Sequence, residues 1–351
     1  MTQRDLTTER PGPATTPAED SPKIRRLLLE PMDPQLTSIQ PGGGVVMRLE
    51  LAWGRLRRAY LRTFRRGYVE RMRQIRCGER NGCPHDVLDP RDLKFHRNQA
   101  GHFWEIEHDP FRWRDRLPFA RAGLAELIIF SLLIFGSAAA LAIVLLAFDA
   151  AGVPAWTGWA VVTALVVVGL LIAWFFRNPP RRIPTGEQIV VSPADGTVTT
   201  IEEIEHDEFI GGPAVLIGIF LSIFNVHINR SPTSARVIGL GYTRGKFLNA
   251  LLPESSRENE QLAVRLEGEA LPHRRMIVRQ ITGQIARRIV CRLKPGDLLE
   301  TGEQFGMIKF GSRTELVLPR EEGLRLAVEI GHKVKAGVTL LAEYEPRDQH
   351  E

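Results

Sequence analysis

At 351 residues and a formal net charge of +5, with 44% apolar and 25% charged residues, the chain has the make-up of a folded protein long enough for two or three units. Three cysteines, Cys77, Cys83 and Cys291, are too few and too odd a set for a disulfide framework, so a reducing compartment is expected. The first residues lack the apolar run of a cleavable signal peptide. Charge is spread unevenly: ten arginines and two glutamates fall between Met47 and Arg76, a basic block of the kind that faces lipid headgroups or nucleic acid.

Residues 1–44 are rich in Pro, Thr, Glu and Gly, show no periodicity and are expected to form a disordered tail. Residues 45–120 read as a basic, partly helical region. Within it Leu49, Trp53, Leu56, Tyr60, Phe64 and Tyr68 recur at steps of three and four with arginines between them. Such a helix suits a membrane surface or, equally, the flank of the rest of the protein. Cys77, Cys83, His85 and His96 match none of the common closed zinc spacings, so no metal is expected. The segment from Cys83 to Trp104 is too specific for a linker, and its role is not legible at this level.

Two uncharged apolar runs follow, 127–148 and 156–176, each long enough as a helix to cross a bilayer core of about 30 Å. The Gly/Pro connection from Asp149 to Ala155 is short, which makes the two helices antiparallel neighbours. Arg112, Arg114, Arg116 and Arg121 precede the first run, Arg177, Arg181 and Arg182 follow the second, and the connection has no basic residue. By the positive-inside rule both termini and the C-terminal domain are expected on the cytoplasmic face of the cell (inner) membrane. Trp156, Trp159 and Trp174 lie near the run ends, where indoles favour the interface. A chain anchored in this way has little access to nucleic acid.

Beyond Gln188, short β-type runs alternate with Gly, Pro and Asp: Ile189–Val191, Thr197–Ile201, Ala214–Phe220, Arg236–Leu240, Met276–Gln280 and Leu324–Ile330. The fold class predicted for 178–346 is mainly β with few short helices. Turns at Ala194–Gly196, Leu293–Asp297 and His332–Gly337 are similar to the hairpins of lipoyl- and biotinyl-type carrier domains. A carrier reading would make Lys309, in Met307-Ile308-Lys309-Phe310, the modified residue. Three other polar residues stand in apolar surroundings: Asp195 in a Pro-x-Asp-Gly turn, His227 on a strand-like run, and Ser312 after Gly311. Each alone has an ordinary explanation as a turn residue, a structural histidine or a loop pair.

In order, the segments FFRNPPR from Phe175, SPADGTV from Ser192, FNVHINRSP from Phe224, GKFLNA from Gly245 and KFGSR from Lys309 resemble the motifs of the phosphatidylserine decarboxylase family. The likeness covers about residues 175–344 and includes the membrane hairpin of the shorter bacterial branch. It departs at the cleavage site, where the best-known members have Leu-Gly-Ser-Thr and this chain has Phe310-Gly311-Ser312-Arg313. The resemblance implies a self-processing catalytic domain in which Ser312 attacks the Gly311 carbonyl. Elimination and hydrolysis then leave a pyruvoyl cofactor at the head of an α chain, separated from a β chain of residues 1–311. It also implies His227 as base, oriented by Asp195, and as the later proton donor. The implied reaction converts phosphatidylserine to phosphatidylethanolamine through a Schiff base with the pyruvoyl carbonyl. Lys246 and Asn249, with Arg244 in reserve, are candidates for the headgroup, and Ser256–Gln261 resembles another family segment. A serine-like lipid other than phosphatidylserine stays open as substrate, as does a homodimer.

Overall fold

The computed structural model describes residues 26–36, 38–41, 45–78, 86–95, 102–147, 153–186, 188–284, 288–309 and 312–345. The basic block forms α1 (Val45–Phe64) and α2 (Arg66–Gln74). Their clamp is the segment whose role the sequence left open. Val87 and Trp104 pack on Met72 of α2, and Trp104 Nε1–H donates to Met72 O at 2.9 Å. Asp92 is fully buried, with its carboxylate held by Arg57 and Arg58 of α1 and by the Leu88 N–H. Cys77 pairs its backbone with Phe103. Cys83, His85 and His96 lie outside the described residues.

The two apolar runs form α3 (Leu124–Ala147) and α4 (Val153–Phe175), and most of the connecting turn, with Phe148, lies outside the described residues. Gly158 and Gly169 of α4 face α3: a Cβ there would meet Leu145 at 2.7 Å and Phe135 at 2.5 Å. Glycines at such positions let apolar helices approach closely where no hydrophobic drive acts between them. Only 11% of the most apolar window of each helix is buried. A core helix of a soluble protein would be covered on nearly every side.

The β region follows as β1 (Ile189–Val191), β2 (Gly196–Asp207), β3 (Gly212–Leu221), β4 (Ile228–Arg230) and β5 (Ala235–Thr243). After the short α5 (Ser255–Glu258) come β6 (Gln261–Gly268), β7 (Arg275–Ile281), β8 (Arg288–Cys291), β9 (Leu298–Leu299) and β10 (Gln304–Lys309). The last strands are β11 (Ser312–Pro319), β12 (Leu324–Leu326), β13 (Lys333–Val334) and β14 (Leu340–Tyr344). A curved sheet runs β13-β2-β3-β11-β7-β6-β5-β9, and two three-stranded sheets, β1-β14-β12 and β4-β10-β8, close over its inner face; all the pairings are antiparallel. Alternation along the strands sends Ile217, Ile219, Leu316, Leu318, Val278 and Val264 inward, against Val190, Leu341, Phe305 and Ile308.

The disordered tail expected for 1–44 does not hold for its last part. Glu30 N–H bonds to Ile238 O, Asp33 accepts from Tyr242 N–H, and Cys291 N–H bonds to Ile39 O. Leu36 is fully buried in the β core. The apolar residues at 27–39, Leu27–Leu29, Met32, Leu36 and Ile39, follow neither a helix nor a strand period, which hid this strap, because an extended segment laid on a sheet needs no periodicity of its own. Residues 1–25 and 42–44 lie outside the described residues.

Candidate active site

β10 and β11 belong to different sheets, yet only Phe310 and Gly311 separate them; those two residues lie outside the described ones. Ser312 therefore opens β11 right after the chain leaves β10. All of β11 is buried, paired with β3 on one side and β7 on the other. Ser312 Oγ is fully enclosed and has no hydrogen-bond partner among the described residues. A hydroxyl left so costs about 1–3 kcal/mol, which native folds tolerate mainly where chemistry needs it.

His227 comes to the same place from β4. Its carbonyl accepts the Ile308 N–H at 3.1 Å, which extends the β4–β10 pairing and sets His227 four residues from Ser312 along the neighbouring chain. A second tie fixes the approach. Asn229 Nδ2–H donates to Thr314 Oγ1 at 3.0 Å, and Gln280 Nε2–H donates to Asn229 Oδ1 at 2.9 Å. His227 precedes Asn229 by two residues and Ser312 precedes Thr314 by two, so in extended chain each lies on the same face as its neighbour in that bond, along the seam between β4 and β11. The imidazole is fully buried, with Nδ1 at 2.9 Å from Asn225 O and its ring 4.5 Å from that of Phe175. A carbonyl can only accept, so Nδ1 carries the proton and Nε2 keeps its lone pair. Burial pushes the imidazole down from 6.5 to about 4; the bond to Asn225 pulls the other way, and the Arg177 charge adds to the fall. The ring is thus a neutral base at physiological pH.

Asp195 takes a different place from the one expected. Both its oxygens accept from Arg181 Nη2, at 2.8 and 3.0 Å, and Oδ1 also accepts the Ala336 N–H at 2.8 Å. His227 Nδ1 is turned to Asn225 O, so Asp195 does not orient the ring. The reason is local: the Pro-x-Asp-Gly turn closes on the hairpin at 335–337, whose free N–H the carboxylate caps. Asp195 still supports the site at one remove. Pro193 O of the same turn accepts from Arg230 N–H at 3.0 Å and Asn229 Nδ2–H at 3.4 Å, which braces β4 behind His227. Asp195→Ala is expected to lower the thermal midpoint and slow self-cutting together, by leaving Arg181 buried without its partner; intact mass and a melting curve read both.

Of the headgroup candidates, Lys246 is exposed and its Nζ pairs with Glu258 Oε2 at 2.7 Å; Asn249 is exposed and caps Leu251 N–H at 3.1 Å; Arg244 is exposed. Among the described residues, none of their hydrogen bonds or ion pairs is with His227 or Ser312. Their loop is pinned by the fully buried Asn259, which bonds both Leu248 backbone groups and Thr282 O. Lys309 is no carrier lysine. It is buried, its Nζ pairs with Glu126 in the first turn of α3, and Arg288 Nη1 reaches the same carboxylate oxygen at 2.9 Å. A modifiable lysine needs an exposed hairpin tip. Burial drives the Lys309 ammonium down from its usual range, and Glu126 opposes that.

Sequence reading missed Glu126, Phe175, Asn229, Gln280 and Thr314. Each is an ordinary residue of a helix end or strand, and only the meeting of two sheets and a helical hairpin gives it a place here. Arg313, the unusual flank, points to the opposite face of the sheet: its Nε–H donates to Glu315 Oε1 at 2.8 Å and its Nη2–H to Thr200 Oγ1 at 3.1 Å, with the guanidinium over Gly218. It is built into the far face of β11 and does not enter the seam.

The sequence matches the phosphatidylserine decarboxylase family model over residues 168–342. A phosphatidylserine decarboxylase proenzyme of Rhodopirellula baltica is 49% identical over 253 residues, 72% of this chain and 99% of that protein. One of Syntrophus aciditrophicus is 38% identical over 239 residues, 68% of this chain and 100% of that protein. A third, of Carboxydothermus hydrogenoformans, is 45% identical over 172 residues, 49% of this chain and 79% of that protein. With near-complete coverage of the first two relatives and the family model matched over residues 168–342, the chain belongs to the phosphatidylserine decarboxylase family.

Proposed function

We propose that this phosphatidylserine decarboxylase proenzyme makes its pyruvoyl group from Ser312, cutting its own chain at Gly311–Ser312 with His227 as the base. The observation that carries the assignment is the unsatisfied Ser312 Oγ, buried at the junction of β10 and β11 beside the strand that holds His227. In the precursor Ser312 Oγ attacks the Gly311 carbonyl carbon, and His227 takes the hydroxyl proton on Nε2. The peptide nitrogen leaves as the amine and the bond becomes an ester. Elimination across Cα–Cβ of residue 312 expels the Gly311 carboxylate, and water then replaces the nitrogen, which departs as ammonia. Two residues between two sheets suit this cut. β10 is held by β4 and β8, and β11 by β3 and β7, so both ends stay in place once the chain is broken.

The pyruvoyl group supplies a carbonyl for the substrate amine and a sink for the electrons left as carbon dioxide departs. The residues of the chain do the rest. His227 is neutral again once the departing amine has taken the serine proton; recharged in turnover by a proton from the incoming substrate ammonium, it is the donor that returns a proton to the headgroup carbon. Phe175 walls the ring from water. The loop 244–252, with Lys246, Asn249 and Arg244, is the proposed contact for the headgroup phosphate and carboxylate. We read α3 and α4 as a membrane-spanning hairpin, with the β region on the cytoplasmic side by the arginines that flank it. In that reading the site lies at the foot of α4, where Phe175 meets His227 and a lipid headgroup would lie.

Intact-mass spectrometry is expected to find two chains, the shorter beginning at position 312 and blocked by pyruvoyl. A single full-length species in active protein would refute the self-processing assignment. His227→Ala is expected to stay uncut, and normal cutting would point to another base.

The depressed imidazole also has a stability consequence. Between pH 6.5 and about 4 the unfolded chain binds a proton at His227 that the folded chain does not, so stability falls as pH drops through that window. In the uncut precursor, acidifying from pH 7 to 5 is expected to cost about 2 kcal/mol at this residue alone. Adding His227→Gln should remove that component, which chemical denaturation at the two pH values checks.

A further inference from the structure

We infer that the outward face of α1 is a docking surface for an anionic phospholipid bilayer, and that it couples the enzyme to the charge its own reaction removes. The inference rests on the membrane anchoring proposed above and goes beyond it, since α1 and α2 lie outside the region matched by the family model. Leu49, Trp53, Leu56, Tyr60 and Phe64 recur at steps of four, three, four and four, and so form one stripe. The structure decides between the two roles open to such a helix. The stripe is turned outward, with Trp53 66%, Leu56 67% and Phe64 71% exposed. A different face, with Met47, Arg58 and Leu61, is the one packed against the protein. An apolar stripe of this size left in water is unfavourable for a soluble surface.

Charge selects the occupant. Arg48, Arg55, Arg65, Arg66, Arg71 and Arg73 are exposed, and no carboxylate partner is recorded for them among the described residues. Aromatic and leucine side chains on one face with arginines beside them fit the headgroup layer of an anionic membrane. The helix is also continuous with the proposed anchor: α1 contacts α3, and Glu50 of α1 acts on Lys309 beneath it. A serine headgroup lipid carries a net negative charge at neutral pH, whereas its ethanolamine product carries none. Turnover therefore neutralises the surface that α1 holds, so the helix engages substrate-rich bilayers and loosens on product-rich ones.

The test uses the full chain reconstituted in phosphatidylcholine bilayers with or without phosphatidylglycerol, an anionic lipid that is not a substrate. Trp53 is read as the difference between wild type and Trp53→Phe when brominated acyl chains quench tryptophan. The expected result is Trp53 quenching at least about threefold greater with phosphatidylglycerol, lost on raising salt from about 0.05 to 0.5 M. Equal quenching in both bilayers, or an indole that stays open to acrylamide in both, would overturn the inference. So would protection of Trp53 by a second copy of the chain in the absence of anionic lipid. The triple variant Arg48→Gln/Arg55→Gln/Arg66→Gln supplies the kinetic arm: about three- to tenfold slower decarboxylation in bilayers, with unchanged self-cutting and unchanged rate in neutral detergent micelles. An unchanged bilayer rate would remove the coupling. Loss of activity in every setting, with Trp53 still quenched, would instead strike the enzymatic assignment and leave the docking face standing.

Discussion

Ser312→Ala is expected to accumulate as one full-length chain with no pyruvoyl group and less than about a thousandth of wild-type decarboxylation. The same variant should fold at least as well as the wild-type precursor. Ser312 Oγ is buried and partnerless, so deleting it removes an unsatisfied polar atom and leaves a methyl group in a tightly paired strand. That combination separates chemistry from architecture. A residue needed for packing would lose stability along with cutting, whereas the nucleophile loses cutting alone. Intact mass reads the first property and a thermal melt in detergent the second. Ser312→Cys keeps a nucleophile in nearly the same volume and is expected to cut, more slowly, because the larger sulfur must find room against fully buried neighbours. Cutting by Ser312→Ala would move the reacting group elsewhere, and a large fall in its melting midpoint would make Ser312 a structural residue.

The sequence was most informative where chemistry and periodicity are both local. The two apolar helices and strands such as Ile189–Val191 follow from composition and alternation, and both were found close to where they were predicted. Seven strands, β6, β8, β9, β10, β11, β13 and β14, went unread; β10 and β11 are buried on both faces and carry no alternation to see. The partners of the site were hidden for a related reason. Asn229, Gln280 and Thr314 lie far apart in sequence and meet only when β4 closes on the large sheet. Asp195 illustrates the opposite error. Its motif stands in the family order, yet its carboxylate serves Arg181 and the Ala336 N–H rather than the histidine. Motif order can mark residues that belong to one site without telling which of them touch.

Glu126→Ala is expected to be among the most damaging substitutions outside the seam, even though Glu126 lies in none of the motifs that carry the family resemblance. Glu126 opens α3, and its buried carboxylate carries Lys309 and Arg288 on adjacent strands β10 and β8. Removing it strands a buried ammonium two residues before Gly311, at a cost of about 3–5 kcal/mol. Lys309 then sheds its proton or turns toward solvent, and either response shifts the end of β10 from which the scissile peptide departs. Self-cutting should slow with the loss of stability. The decisive comparison is the apolar pair Glu126→Leu/Lys309→Met, since well-packed apolar residues can replace a buried ion pair with little or no loss. Recovery of stability with cutting still slow would mean that the ion pair positions the cleavage strand relative to the hairpin. Recovery of both would reduce the pair to packing, and a single Glu126→Ala variant that melts and cuts like wild type would remove it from the mechanism. Under the first outcome, the apolar helix α3 also positions the strand that leads to the scissile peptide, so a precursor whose hairpin has not docked would be held uncut.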